Sequence, residues 1–297
     1  LHFERPLIPG NADQPPSGTP AGDMSADAIG VFDSGVGGLS VLRALIAELP
    51  QEKFVYLADS GHAPYGERDD SHVIARSHAI TRYMVAQHHI KALVVACNTA
   101  TAAAIKLLRQ DFPDLPIVGI EPALKPAAAS SQTRHIGVMA TRGTLNSEKF
   151  QTLLASLRGQ ADFVLQPCDG LADAIERGDA TKIVADCVCF TGAMGQFGLK
   201  RGGIDTLVLG CTHYPFVSET LRALVGNDVA FLEGGAPVAR QTRRLLTERN
   251  WLAPAPADAT PIAPPVFCTT GDADNLKMAV QRCLNVNTAV HSLVINP

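Results

Sequence analysis

Residues 28–38 read Ala28-Ile29-Gly30-Val31-Phe32-Asp33-Ser34-Gly35-Val36-Gly37-Gly38. The first five form a short apolar run, the length of a strand buried on both faces. The glycine-rich turn hands the chain to Leu39, Leu42, Leu45, Ile46 and Leu49, spaced as the apolar stripe of an amphipathic helix. Pro50 ends that helix, because proline lacks the N–H a helix interior needs. Strand, turn and helix in this order make the opening of a βαβ unit. Repeated, such units give a mainly parallel sheet with helices on both faces.

The pattern does repeat. Phe54–Ala58 reads as a strand, followed by a loop through Pro64-Tyr65-Gly66 and a helix from about Ser71. Ala92–Ala96 is a strand leading into a helix that runs through Leu108. Ile117–Ile120, Ile136–Ala140, Phe163–Leu165, Thr206–Leu209 and Val229–Leu232 are further strand candidates. Two matches in the same order point to an internal duplication. Ile29-Gly30-Val31-Phe32-Asp33 returns as Ile136-Gly137-Val138-Met139-Ala140, and Val95-Ala96-Cys97-Asn98-Thr99 returns as Leu209-Gly210-Cys211-Thr212-His213. The expected architecture is therefore α/β. It has two similar doubly wound, mainly parallel-sheet domains related by a pseudo-two-fold axis, with the active site in the cleft between them. The first spans 28–120 and is completed by 234–297; the second spans 121–233.

Composition narrows the function. Apolar residues make up 46% of the 297 and charged residues 18%, as in ordinary globular proteins. The net charge of −4, without a basic stripe, argues against nucleic acid as a partner. No apolar run approaches the roughly 18 residues of a membrane span. Residues 1–27, with five prolines and three glycines, read as a disordered leader. Seven dispersed cysteines without a secretory signal suit reduced thiols in a cytoplasm. Cys187 and Cys189 form only a C-x-C with no matching second pair, so no metal site is expected. Gly35-Val36-Gly37-Gly38 is not the G-x-G-x-x-G of a dinucleotide loop.

Cys97 and Cys211 stand apart from the other cysteines. Each ends an apolar strand and is followed by hydroxyl or amide residues and then a helix. Ligands of open α/β sheets bind beyond the carboxyl ends of the strands, and helix N-termini there favour anions and lower thiol pKa values. Both thiols are therefore expected to be reactive near neutral pH. Cys168, Cys187, Cys189, Cys268 and Cys283 are expected to pack as small hydrophobes. Two thiols on related halves can approach one ligand from opposite sides. One takes an α-proton while the other delivers a proton to the opposite face, which inverts the stereocentre.

Four motifs together resemble the glutamate racemase family, within the wider aspartate/glutamate racemases. They are Asp33-Ser34-Gly35-Val36-Gly37-Gly38-Leu39-Ser40, Pro64-Tyr65-Gly66, Cys97-Asn98-Thr99-Ala100-Thr101 and Gly210-Cys211-Thr212-His213-Tyr214-Pro215. Weaker similarity continues through Glu121-Pro122-Ala123, Thr141-Arg142-Gly143-Thr144 and Thr269-Thr270-Gly271. The resemblance implies a cytoplasmic enzyme that makes D-glutamate for peptidoglycan. It implies no pyridoxal phosphate, metal or nucleotide cofactor, and a homodimer as the assembly. It also implies Cys97 and Cys211 as the proton-transfer pair, with Asp33, His213 and Glu176 supporting them. Asp33, Ser34, Pro64, Tyr65, Gly66, Asn98, Thr99, Thr141, Thr212 and His213 would hold L- and D-glutamate.

Two departures from the family pattern stand out. Pro167-Cys168-Asp169 replaces the usual Cys-Pro order ahead of Glu176, and Glu233-Gly234-Gly235 stands where Asp-Ser-Gly is more common. An aspartate-specific racemase and a non-catalytic anion-binding regulator are the competing expectations. Intact Cys97, Cys211, Asp33 and His213 argue against the regulator.

Overall fold

In the computed structural model, which describes residues 24–254 and 263–296, strands and helices alternate along the chain. β1 (Ile29–Asp33), α1 (Leu39–Glu48), β2 (Phe54–Ala58), α2 (Asp70–His88), β3 (Ala92–Val95), α3 (Asn98–Asp111) and β4 (Ile117–Gly119) come first. After α4 (Leu124–Ser130) follow β5 (His135–Ala140), α5 (Arg142–Asn146), α6 (Glu148–Ser156) and β6 (Asp162–Pro167). Next come α7 (Leu171–Arg177), α8 (Ala180–Met194), β7 (Thr206–Gly210), α9 (Ser218–Val225) and β8 (Ala230–Leu232). The chain ends with α10 (Gly235–Glu248), β9 (Val266–Thr269), α11 (Ala273–Leu284) and β10 (Val290–Ser292).

Two all-parallel sheets result, ordered β10-β9-β2-β1-β3-β4 and β6-β5-β7-β8. The shared core of both is one arrangement. β1 lies between β2 and β3 as β5 lies between β6 and β7. This is the pattern expected of a duplicated α/β unit, and it gives two parallel-sheet α/β domains.

Alternation along each strand builds a core on each face of the sheet. Phe54, Tyr56 and Ala58 of β2 join Val94 of β3 and Leu39, Leu42 and Leu45 of α1 on one face. Val55 and Leu57 join Leu93 and Val95 with Ile80 of α2 and Ile105 of α3 on the other. In the second sheet Leu207 and Leu209 of β7 face the side of α7–α9, and Val208 faces Leu124 and Phe150 of α4 and α6.

The expected strands lie within a residue or two of those observed. β9 and β10 were not foreseen: β9 is four residues long, and β10, Val290-His291-Ser292, is a partly exposed edge strand with no apolar alternation. Both join the first sheet, so the polypeptide returns to that sheet after β8. The expected leader, 1–27, lies outside the described residues except for Met24–Asp27. There a turn closes from Asp27 N–H to Met24 C=O, and Ser25 C=O accepts from Lys91 Nζ at 2.9 Å.

Lys91 carries more than that contact. Its ammonium lies 2.6 Å from Glu52, with both side chains fully buried, and also donates to Trp251 C=O at 2.8 Å. Ala253 N–H donates to the same glutamate at 2.8 Å. One buried ion pair thus ties the entries of β2 and β3 to the segment after α10. Removing one partner leaves the other charge uncompensated, at about 3–5 kcal/mol. Lys91→Met is expected to lower unfolding free energy by that amount in urea titrations. The folded fraction should keep wild-type turnover, since neither residue reaches the site described next.

Candidate active site

Strand order decides where a ligand can sit. In each sheet the connections run one way from the central strand and then reverse, and the crevice at that reversal opens at the carboxyl ends of the strands. In the first sheet it lies between β1 and β3, in the second between β5 and β7. Asp33 and Ser34 come off β1 and Cys97 off β3; Thr141 comes off β5 and Cys211 off β7. The motifs legible in the sequence are the four ends bordering the two crevices.

The crevices share one cavity. Ser34, Pro64, Tyr65, Gly66, Cys97, Asn98 and Thr99 line it from the first domain, and Thr141, Glu176, Cys211, Thr212 and His213 from the second. The domains meet closely around it: Thr99 and Thr141 share a hydrogen bond of 3.0 Å, and Ser40 Oγ donates to Thr212 C=O at 3.1 Å. A Cβ on Gly66 would strike the Thr141 side chain, so glycine there permits the approach. No lysine or arginine is among the lining residues. Asn98, at the start of α3, has its side-chain oxygen buried without a hydrogen-bond partner among the described residues.

Cys97 caps α3, its sulfur accepting from Ala100 N–H at 3.4 Å, while the thiol lies 3.8 Å from Ser34 Oγ. Asp33 sits beneath it, fully buried. The carboxylate of Asp33 accepts from Ser34 N–H at 2.8 Å, from Gly38 N–H, and from Thr212 Oγ at 3.2 Å. Burial raises the Asp33 pKa from 3.8 to about 6, against the lowering pull of His213. Asp33 is not among the residues that line the cavity, unlike the others expected to hold substrate.

The expected low pKa of Cys97 is also corrected. Burial drives it well above the ordinary thiol value and the nearby Asp33 charge adds to this, outweighing the Ala100 N–H at the helix start. Desolvation of a thiolate exceeds what one helix N-terminus returns.

The second thiol has a different environment. Cys211 lies 3.8 Å from His213 Nδ1, and His213 Nε2 lies 2.8 Å from Glu176 Oε2. Burial opposes protonation of His213, yet contact with Cys211 and Glu176 raises its pKa well above the ordinary value. Burial likewise pushes the Glu176 pKa up, but His213, Ser60 Oγ and Val36 N–H prevail and hold it low. Glu176, carried by α7, is thus brought to the histidine from 37 residues away.

Cys168 was expected only to pack. It is buried, yet it also lines the cavity. Cys189 departs from the packing expectation as well: α8 turns Cys187 inward and leaves Cys189 exposed. Sequence reasoning missed Ser60, whose hydroxyl donates to Glu176 at 2.7 Å. It also missed Asp59, which holds the Tyr65 hydroxyl at 2.5 Å and Arg76 Nε at 2.9 Å. The sequence signal was a conventional Asp-Ser after a strand, indistinguishable from a turn. Among the described residues there is no group of three or more His, Cys, Asp or Glu placed to hold a metal. No helix there is long and apolar enough to cross a membrane.

The family model for Asp/Glu/hydantoin racemases matches residues 29–242. The chain belongs to that family and is a racemase, an isomerase by reaction class. It is 46% identical over 271 residues to a glutamate racemase of Cupriavidus pinatubonensis, covering 91% of this chain and 96% of that protein. It is 45% identical over 269 residues to one from Ectopseudomonas mendocina, covering 91% and 99%. Among solved structures, a glutamate racemase isoform of Bacillus anthracis superposes with a TM-score of 0.77 at 30% identity, covering 91% of this chain and 98% of that one. An Escherichia coli glutamate racemase, solved with L-glutamate and the activator UDP-MurNAc-Ala, gives 0.76 at 29%, covering 91% and 100%.

The raised Asp33 pKa has a consequence for stability. The folded protein holds this proton more tightly than the unfolded chain. The favourable contribution is therefore complete below pH 3.8 and is lost as pH rises through about 6. The difference corresponds to about 3 kcal/mol. Asp33→Asn carries no such charge. Its stability relative to wild type is expected to climb by about that much between pH 4 and pH 7. Chemical unfolding at several pH values measures it; a difference independent of pH would refute the buried titration.

Proposed function

We propose that the chain interconverts L- and D-glutamate without a cofactor, passing the α-proton through Cys97 and Cys211 on opposite sides of the bound amino acid. One observation carries this reading: both thiols line a single cavity, and each has a buried acid–base group beside it, Asp33 for Cys97 and His213 for Cys211. The Cα–H bond breaks as an S–H bond forms on one side, leaving its electron pair on Cα beside the carboxylate. That pair then takes the proton of the opposite thiol, whose S–H bond breaks. The product is the mirror image, and each sulfur has exchanged its protonation state.

The two environments support different starting roles. Burial, which raises the Cys97 pKa, supports that thiol as the donor. Cys211, 3.8 Å from the ring nitrogen of a histidine backed by Glu176, takes the part of acceptor. The family resemblance pairs Cys211 with L-glutamate and Cys97 with the D enantiomer, so this arrangement is ready for L-glutamate. Ser34, Asn98, Thr99, Thr141 and Thr212, with the Tyr65-Gly66 turn, hold the two carboxylates through neutral donors. The unpartnered amide oxygen of Asn98 is the acceptor offered to the ammonium. Asp33, His213 and Glu176 support the thiols rather than touch Cα. Supply of D-glutamate to peptidoglycan, residence in the cytoplasm and assembly as a homodimer belong to the same proposal. The very similar glutamate racemases support it.

Deuterium incorporation at Cα of either enantiomer, with no cofactor added, tests the activity. Glutamates carrying a β-halogen test the two-base assignment, because one proton abstraction with loss of halide ends their reaction. Cys97→Ser should lose elimination from one enantiomer and keep it with the other, and Cys211→Ser should do the reverse. A thiolate fixed on one face reaches only the proton that points to it. Racemisation should fall about 10²–10⁴-fold in both variants. A variant that treats the two enantiomers alike would overturn the opposed assignment.

A further inference from the structure

Glu176 belongs to the second domain, yet three of the groups that hold it come from the first. Ser60 Oγ donates to Oε1 at 2.7 Å and Val36 N–H donates to Oε2 at 2.8 Å. Asn275 of α11, which packs with the first sheet, donates its side-chain amide to the Glu176 backbone carbonyl at 3.0 Å. Among the described residues, the side-chain partner from the second domain is His213, 2.8 Å from Oε2. The glycine turn after β1 forms the wall behind both residues. A Cβ on Gly35 would strike the Glu176 carboxylate, and one on Gly37 would strike the His213 ring.

These contacts form a chain across the cleft: Ser60, Glu176, His213, Cys211. Each link fixes the next. A carboxylate that accepts Ser60 and Val36 has one direction left in which to face the imidazole. The imidazole, backed by Gly37, then presents Nδ1 to the Cys211 sulfur at 3.8 Å. Cys97 has no part in this chain. Its contacts are Ser34, Ala100 and the buried Asp33.

Resting on the two-thiol reading above, we infer that Ser60 is a positioning residue for proton transfer at Cys211. The domain that carries Cys97 thereby also sets the competence of the opposite thiol. Ser60 touches neither thiol and does not line the cavity; it acts through Glu176 and His213. The benefit to the reaction is coupling. The proton acceptor on the second domain is oriented only where the first domain is docked against it, so abstraction is confined to a cleft assembled around the amino acid.

Racemisation itself cannot reveal a one-sided effect. The enantiomers have equal free energy, so kcat/KM falls equally in both directions whichever thiol is impaired. The β-halogenated glutamates can, since each enantiomer reports one abstraction. Ser60→Ala is expected to lower elimination from the Cys211-dependent enantiomer about tenfold or more, the scale of one lost hydrogen bond to a buried charge. The effect should fall on kcat rather than KM. Elimination from the Cys97-dependent enantiomer should stay within about twofold, as expected for a thiol hydrogen-bonded to Ser34 and Ala100 rather than to Ser60, Glu176 or His213. Ser60→Thr, which keeps the hydroxyl, should recover most of the loss. Gly35→Ala, which displaces the same carboxylate without touching Ser60, should reproduce the selective loss. Equal losses on both enantiomers, no loss, or a change confined to KM would overturn the inference. If wild-type elimination fails to divide between Cys97→Ser and Cys211→Ser, the two-thiol reading itself falls. If it divides and Ser60→Ala is unselective, only the role of Ser60 falls.

Discussion

The Glu176 carboxylate is the point through which the two halves of the molecule are joined at the site. It is almost fully buried and would be costly there without partners. Three partners answer that cost, Ser60 and Val36 from the first sheet's side of the cleft and His213 from the other. The glycine turn after β1 therefore has two duties at once. It ends the central strand, and it supplies a bare backbone against which glutamate and histidine of the other domain can lie. A side chain on Gly35 would displace the glutamate and one on Gly37 the histidine.

Duplication has given the two thiols equivalent places but opposite company. Both follow the strand beside the central strand of a sheet, at the reversal of strand order. Cys97 has a buried carboxyl group beneath it, whose pKa is raised to about 6 by burial. Cys211 has an imidazole whose pKa is raised by contact with that thiol and with the Glu176 carboxylate behind it. The fold repeats from one half to the other while the groups that stand beside its two thiols do not.

Much of this was legible because strand-end motifs and period-two cores leave local marks. The strands of the duplicated units show as short apolar runs, and both cysteines show as strand ends followed by capping residues. What stayed hidden depends on distant parts of the chain. β10 has no alternation, being exposed at an edge and defined only by pairing with β9. Glu176 was placed among the supporting residues by resemblance alone, since nothing local reveals that α7 brings it to His213. Ser60 and Asp59 sit in a turn whose composition explains itself, so their bonds to Glu176 and Arg76 left no trace. The Cys97 pKa failed as an expectation because sequence shows the helix start but not the depth of burial, and depth prevailed.

The absence of lysine and arginine from the lining residues fits the energetics of the reaction. A dicarboxylate would bind more tightly to a cationic clamp. Such a charge, fixed nearer one face, would also favour the thiolate on that face in both directions of turnover. The enantiomers are equal in energy, so a persistent bias stabilises one protonation state of the enzyme and slows the return of the other. On the proposed two-thiol reading, neutral hydroxyls, amides and helix-start N–H groups supply several modest hydrogen bonds to the carboxylates instead. They leave the balance between Cys97 and Cys211 to Asp33 and to the His213–Glu176 pair. Asp33 and His213 are buried with the thiols. On that reading the cavity gives up binding strength where a fixed cation would tilt the proton balance.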